Sequence, residues 1–146
     1  MKVQDHLRRA SHEVPCASTF FEINVINTGK EETLAALRTA GQLACNLNGS
    51  IELLAPQVVP YPLDLSNPPV ARTFTARRFR TLAGNQKVLT NVQVILCRDR
   101  ESAFKQALKP HSLVVIGSRK RWWRSDESRL VEMLRQQGHE VIMVHV

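Results

Sequence analysis

The sequence predicts a single α/β domain built on a parallel β-sheet, and three observations support this prediction. The chain of 146 residues has the length of one domain with its own core. Hydrophobic residues make up 43% and charged residues 23%, which is the balance of a folded globular protein. Strand-sized apolar runs alternate with amphipathic stretches of helical period, a pattern typical of a parallel sheet that helices cover on both faces.

The first predicted strand covers 19–26, where aromatic and β-branched residues predominate. Thr28 and Glu31 have the spacing of a capping box, so we expect the first helix to begin at Thr28. Asn48 and Gly49 end this helix with a left-handed turn. Its apolar stripe comprises Leu34, Leu37, Ala40, Ala44 and Leu47.

The second predicted strand, 51–59, ends at Pro60, and a proline-rich loop over 60–72 follows it. The next predicted helix covers about 71–87. Its buried side is predicted to contain Phe74, Phe79, Leu82 and Ala83, and its outer side Arg77, Arg78 and Arg80.

Three strands and two helices complete the pattern. The strands are predicted over 91–97, 112–118 and 140–146. Asp99 is a good N-cap for a helix that extends through Leu108. The last helix is predicted over about 126–137, with acids in its first turn and Gly138 at its end. In such βα alternations, ligands bind outside the carboxyl ends of the strands, where the strand order reverses.

The positive charge of the chain is concentrated in one segment. The formal net charge is +7, and residues 72–124 contain 13 basic and 2 acidic side chains. Six cations follow the third and fourth strands and are predicted at one rim of the sheet, namely Arg98, Arg100, Arg119, Lys120, Arg121 and Arg124. With the N-termini of the following helices they would form an anion site. The alternative is that each lies in solvent, as Arg and Lys usually do.

Several classes of enzyme lack their characteristic motifs in this sequence. There is no Gly-x-Gly-x-x-Gly turn, Gly-x-x-x-x-Gly-Lys loop, Cys-x-x-Cys pair or Gly-x-Ser-x-Gly elbow. Asp99 has no acidic cluster at the first strand with which to form a phosphoryl-accepting site. His111 and His139 precede strands, so we expect them at the opposite edge, in surface or capping roles rather than as bases or metal ligands.

The cysteines and the termini point to a cytoplasmic protein without a membrane span. Cys16, Cys45 and Cys97 are too few and too scattered for a disulfide scaffold, so we expect reduced thiols. The first 17 residues are rich in charge and histidine and lack the apolar stretch of a signal peptide. The longest apolar runs are strand-sized.

The second half of the chain carries a resemblance to a known family. The strand LVVIGS over 113–118 followed by Arg119, and the closing helix with GHEVIMV over 138–144, resemble the universal stress protein family, as do the length and the order of elements. The resemblance covers about 18–146 and leaves 1–17 as a flexible N-terminal extension. It implies an adenine nucleotide alpha hydrolase-like, three-layer α/β/α fold with a five-stranded sheet in the order 3-2-1-4-5. It also implies a homodimer that pairs through the last strand.

Many members of this family bind ATP at the carboxyl edge, and the resemblance places the corresponding site at Asn27, Thr28, Gly117, Ser118, Arg119, Lys120 and Ser128. The match to the nucleotide motif is poor. Asn27 stands where ATP-binding members have Asp, Lys120 replaces a glycine, and Ser128 follows Glu127 rather than glycine. A Cβ obstructs the close approach of backbone amides to phosphate. We therefore expect weak or no ATP binding by the usual mode of the family, with Lys120 and its Arg neighbours filling the phosphate pocket or holding another anion. The anion-binding candidates are Arg98, Arg100, Arg121 and Arg124.

Three functions follow from these observations. The first is a dimeric, non-catalytic regulatory or signalling domain with a degenerate nucleotide site. The second is a binder of anionic ligands or nucleic acid through 72–124, in which Trp122 and Trp123 stack on bases or, as is more usual, pack against the sheet edge or a partner subunit. The third and least favoured is a small nucleotide hydrolase, since no general base is evident at the expected edge.

Overall fold

The computed structural model describes residues 21–84, 86–119 and 126–146, and these contain five strands and four helices. The strands are β1 (Glu22–Ile26), β2 (Ser50–Val58), β3 (Thr90–Cys97), β4 (Leu113–Ser118) and β5 (Glu140–His145). The helices are α1 (Lys30–Leu47), α2 (Arg72–Ala83), α3 (Arg100–Ala107) and α4 (Asp126–Gln136). The predicted extension 1–17 and the residues Lys120, Arg121, Trp122, Trp123 and Arg124 lie outside the described residues.

The five strands form one parallel sheet in the order β3-β2-β1-β4-β5, which confirms the predicted fold class. At the carboxyl end of β1, Ile26 is in register with Leu54 on β2 and Ile116 on β4. The order reverses between β1 and β4, because β2 and β3 extend to one side of β1 and β4 and β5 to the other. The crevice between the ends of β1 and β4 is therefore the expected ligand site.

The hydrophobic core lies on both faces of the sheet. On one face, Leu37 and Ala40 of α1 and Ala83 of α2 pack against strand residues that include Val115. On the other face, Phe104 of α3 packs in a second cluster. The rest of that cluster comprises Ile26, Leu54, Leu108, Val114, Ile116, Leu130, Val131, Leu134 and Val141. Neighbouring residues of β4 thus alternate between the clusters, as the two-residue period of a strand requires.

The predicted capping box at Thr28 is wrong. Gly29 is the N-cap of α1, and the helix begins at Lys30 without a side-chain cap. The hydroxyl of Thr28 donates instead to the carbonyl of Gly117 at 3.0 Å, and Glu31 approaches Arg119. Both partners of the predicted box therefore contact β4 and the residue after it. The other predicted caps are confirmed, since Asn48 is left-handed and Asp99 accepts a hydrogen bond from the backbone of Ser102.

Two apolar side chains that the periodicity places in the core are exposed. Phe74 is 59% exposed, because five residues separate it from Phe79 and therefore turn it about 140° around α2 from the buried side. Leu47 is 49% exposed and lies in the last turn of α1, beyond its last buried residue, Ala44. Helix α2 is also shorter than predicted, since it ends at Ala83 rather than near residue 87. None of the described helices is long and apolar enough to cross a membrane.

His139 lies directly before β5, at the edge of the sheet opposite the crevice, and it is only 9% exposed. Its Nδ1 accepts a hydrogen bond from the backbone N–H of Ser112 at 3.1 Å. Burial, and then the charge of nearby His111, holds the pKa of His139 below its usual value. The hydrogen bond requires an unprotonated Nδ1, so the contact and the pKa favour the same neutral imidazole.

We expect the free energy of unfolding to fall as the pH drops below about 6.5, because the unfolded chain then binds a proton at His139 that the folded chain binds only at lower pH. The contribution of His139 to stability is fully present above that pH, and it is lost as the pH falls toward the lowered pKa of His139 in the folded state. Urea midpoints measured from about pH 8 to about pH 5 test this. His139→Gln should flatten the curve, whereas His145→Gln, at an exposed position on β5, should leave it as in the wild type. A His139→Gln curve as steep as that of the wild type contradicts the assignment.

Candidate functional site

The loop between β1 and α1 is held by Thr33, which is fully buried in the first turns of the helix. The Thr33 hydroxyl donates to Oδ1 of Asn27 at 3.1 Å and accepts from the backbone N–H of Thr28 at 3.1 Å. The backbone N–H of Asn27 donates to the carbonyl of Leu54 on β2. Asn27, which stands where the resemblance implied an acid in ATP-binding members, is thus engaged within its own loop and carries no charge.

Gly117 lies where β4 passes closest to α1. A Cβ on Gly117 would overlap the carbonyl oxygen of Glu32 and come within 2.8 Å of the Glu32 Cα. All of these are backbone atoms of the first turn of α1, so they cannot move aside without displacing the helix. Because Thr28 also donates to the carbonyl of Gly117, the glycine has a packing role that is sufficient to explain it.

Arg119 forms ion pairs with two consecutive carboxylates of α1. Its Nε lies 2.5 Å from Oε1 of Glu32, and its Nη2 lies 3.3 Å from Oε2 of Glu31. The Glu32 side chain is 10% exposed, whereas those of Arg119 and Glu31 are more than half exposed. The other oxygen of Glu32, Oε2, is buried against Gly29 and has no hydrogen-bond partner among the described residues. A buried carboxylate therefore lies beside the end of β4.

Arg98 stabilises the proline-rich loop. Its Nη1 donates to the carbonyls of Val59 and Leu63, at 3.1 and 2.6 Å. Its guanidinium carbon lies 4.2 Å from the centre of the Tyr61 ring, in a cation–π contact. Arg98, predicted from the sequence to bind an anion, is thus engaged by three contacts to residues 59–63.

Arg100 spans the edge of the sheet from β3 to β1. Its Nη2 donates to the carbonyl of Asn27 at 3.3 Å. A cavity of about 320 Å³ beside it is lined by Arg98, Arg100 and Arg129 but also by Asp99, Glu101 and Asp126. The hydroxyl and then the backbone N–H of Ser102 hold the pKa of Asp99 below its usual value, so this acid stays ionised at neutral pH. The formal charges of the lining therefore cancel.

Among the described residues, Ser118 and Ser128 of the predicted site are not brought together. Ser118 is buried, and its hydroxyl donates to the carbonyl of Arg119 at 3.3 Å. Ser128 lines a different cavity, with Val131 and Met143 on the side of α4 and β5. Lys120, Arg121 and Arg124 lie outside the described residues. Within residues 21–84, 86–119 and 126–146, no three His, Cys, Asp or Glu side chains are grouped as a metal site.

Neither Glu32 nor Thr33 is among the site residues predicted from the sequence. Both lie in the first turns of α1, where acidic and hydroxyl side chains are common for local reasons. No sequence spacing signals that Glu32 pairs with Arg119, because the two meet only through the order of the strands. Of the predicted site, the structure brings Asn27 and Arg100 together by one hydrogen bond, and Thr28 and Gly117 by another.

A comparison of the sequence with models of known protein families finds no match, and a comparison with curated proteins finds no significant match. Solved structures do match. A universal stress protein from Archaeoglobus fulgidus has a TM-score of 0.65 at 12% sequence identity, over 90% of this chain and 98% of that protein. A member of the universal stress protein family from Burkholderia pseudomallei has a TM-score of 0.55 at 18% sequence identity, over 87% of this chain and 97% of that protein.

A third solved structure, a universal stress protein in complex with cAMP, matches with a TM-score of 0.54 at 14% identity, over 87% of this chain and 98% of that one. All three comparisons extend over nearly the whole length of both chains. The chain therefore has the fold of the universal stress proteins, as its resemblance to them implied.

Proposed function

We propose that the chain is a non-catalytic regulatory domain with the universal stress protein fold and a degenerate nucleotide site. The observation that carries the proposal is the ion pair of Glu32 with Arg119 at the end of β4. The strand order reverses between β1 and β4 as expected, and beside the end of β4 the chain itself supplies both a cation and an anion. Such a domain would act through its surface and its partners rather than through a chemical reaction.

The described residues do not fit ATP bound in the usual mode of the family. The carboxylate of Glu32 lies against Gly29 and pairs with Arg119, the residue that follows β4, and there it would repel a phosphate. Arg119 already binds two carboxylates, so a phosphate would have to compete with them. The Asn27 amide, which replaces the expected acid, has its oxygen engaged by Thr33. Charge and hydrogen bonding therefore both oppose a nucleotide at this position.

Nucleic acid binding through 72–124 receives less support. A phosphate backbone is bound by cations that are available to it. Arg98 and Arg100 donate to carbonyls of the chain itself, and Arg119 is paired with acids. The cavity beside Arg98 and Arg100 has as many acidic as basic side chains. The rim is therefore less available to an extended anion than the sequence suggested.

Self-association in the cytoplasm is part of the proposal. In the described sheet β5 is an edge strand, and its residues Ile142, Met143 and Val144 are only partly buried. An edge strand presents backbone groups that can pair with a second copy. Pairing through β5 would leave the crevice at the end of β4 accessible for a regulatory ligand or partner.

Calorimetric titration of the purified protein with MgATP tests the proposal, with cAMP as a second ligand because one structural neighbour was solved with it. We expect dissociation constants above about 1 mM for both. Phosphate release from ATP should proceed at the rate of a buffer control. A micromolar dissociation constant for ATP, or protein-dependent hydrolysis, overturns the proposal.

A further inference from the structure

A groove runs between α1 and α2, on the face of the sheet that these helices cover. It consists of two adjoining cavities of about 480 and 680 Å³, which share Leu34 of α1 and Leu82 of α2 in their linings. The first, here called the upper cavity, begins at Asn27 and Thr28, and the second extends to Cys45. Each has the volume of a small-molecule site in a typical protein.

The upper cavity combines an apolar floor with a cationic rim. Leu34, Phe79 and Leu82 supply the apolar surface. Lys30 lies at the start of α1 and Arg78 on α2, so the two cations come from opposite walls. The adjoining cavity adds Arg38 and Lys87.

No acidic side chain offsets these charges in the part of the chain that the structure describes. None lines either cavity, and helix α2 contains no acidic residue at all. Lys30, Arg38, Arg78 and Lys87 form no ion pair with any described residue. This distinguishes the groove from the cavity beside Arg98 and Arg100, whose lining is electrically balanced. Unpaired cations over an apolar surface favour a ligand with the complementary pattern.

We propose that the upper cavity binds a small organic anion that carries an apolar or aromatic body. The acidic head, a carboxylate, sulfonate or phosphate ester, lies between Lys30 and Arg78, and the body packs on Leu34, Phe79 and Leu82. The site is separate from the Glu32–Arg119 pair. It shares Asn27 and Thr28 with the predicted nucleotide site, but its proposed contacts are to Lys30, Arg78 and the apolar floor, and it assigns a role to the positive charge of α2.

The probe for this site is 1-anilinonaphthalene-8-sulfonate, an aromatic sulfonate whose fluorescence increases in an apolar environment. We expect saturable binding of one probe to the folded protein. Arg78→Glu and Lys30→Glu should each weaken it at least about tenfold, since a hydrogen-bonded charge pair is replaced by repulsion. The neutral analogue N-phenyl-1-naphthylamine should bind with similar affinity to the wild type and to Arg78→Glu.

Arg77→Glu is the matched control, because Arg77 is the neighbouring exposed arginine of the same helix and lines neither cavity. This substitution changes the net charge by the same amount and should weaken probe binding less than about threefold, because only long-range electrostatic attraction is lost. Circular dichroism and urea midpoints establish that each variant is folded. Absence of saturable probe binding to the wild type, or equal losses in Arg77→Glu and Arg78→Glu, overturns the proposal.

Discussion

Replacement of Gly117 by alanine is expected to lower the free energy of unfolding by about 3 kcal/mol, at the upper end of the range for overpacked cores. The new methyl group would meet the carbonyl oxygen, carbonyl carbon and Cα of Glu32, which are backbone atoms of α1. Relief requires α1 to move away from β4, which would open the core around Val115 and Leu37. The melting temperature should fall by roughly 10 °C.

Gly84→Ala is the matched control for this substitution. The nearest atoms to a Cβ on Gly84 lie 3.4 and 3.5 Å away, which is ordinary contact, and its φ is −65°. Alanine should therefore be tolerated and should stabilise the chain by about 0.5 kcal/mol, because it restricts the unfolded state. A Gly117→Ala protein that unfolds at the same urea concentration as Gly84→Ala would show that β4 and α1 are not packed as described.

Replacement of Arg119 by alanine is expected to cost about 2 kcal/mol of stability, less than a fully buried pair because the guanidinium is partly in solvent. The substitution removes the cation from Oε1 of Glu32, whose other oxygen has no partner among the described residues. The Glu32 side chain is only 10% exposed, so its charge would then be poorly solvated. Urea denaturation at neutral pH measures the loss.

Two further variants separate the buried pair from the exposed one. Glu31→Gln removes the ion pair in which both side chains are more than half exposed, and it should change stability by less than about 0.5 kcal/mol. In a Glu32→Gln background, Arg119→Ala should cost much less than in the wild type, because no buried charge is left unpaired. Equal costs in the two backgrounds would mean that Arg119 contributes through packing and not through Glu32.

Local patterns were sufficient to predict the fold class, though not the order of the strands. The apolar runs of β4 and β5 are separated by the amphipathic helix α4. Strands that alternate with helices in this way predict a parallel sheet, as observed. The Asp99 cap was also predictable, because its partner Ser102 is only three residues away. The strand order required the resemblance to the family, since no local pattern determines which strands are neighbours.

The site was less predictable because its contacts join distant parts of the chain. Thr28 matched the pattern of a local helix cap, yet its hydroxyl donates a hydrogen bond to the carbonyl of Gly117, 89 residues away. Arg98 and Arg100 looked available for an anion. In the fold, Arg98 donates to the carbonyl of Val59 after β2, and Arg100 donates to the carbonyl of Asn27 after β1. An arginine beside unpaired carbonyls donates to them, and only the folded topology shows where those carbonyls lie.

The proposed function requires that the Glu32 carboxylate and its pairing with Arg119 exclude a nucleotide from the crevice between β1 and β4. The most direct test is calorimetric titration of MgATP into the wild type, Glu32→Gln and Glu31→Gln. We expect Glu32→Gln to bind ATP about tenfold more tightly than the wild type, because the repulsion is removed and Arg119 keeps only its exposed pair with Glu31. Glu31→Gln, exposed and paired with the same arginine, should differ from the wild type by less than about threefold. Micromolar binding to the wild type, or identical affinities for Glu32→Gln and Glu31→Gln, would contradict the claim.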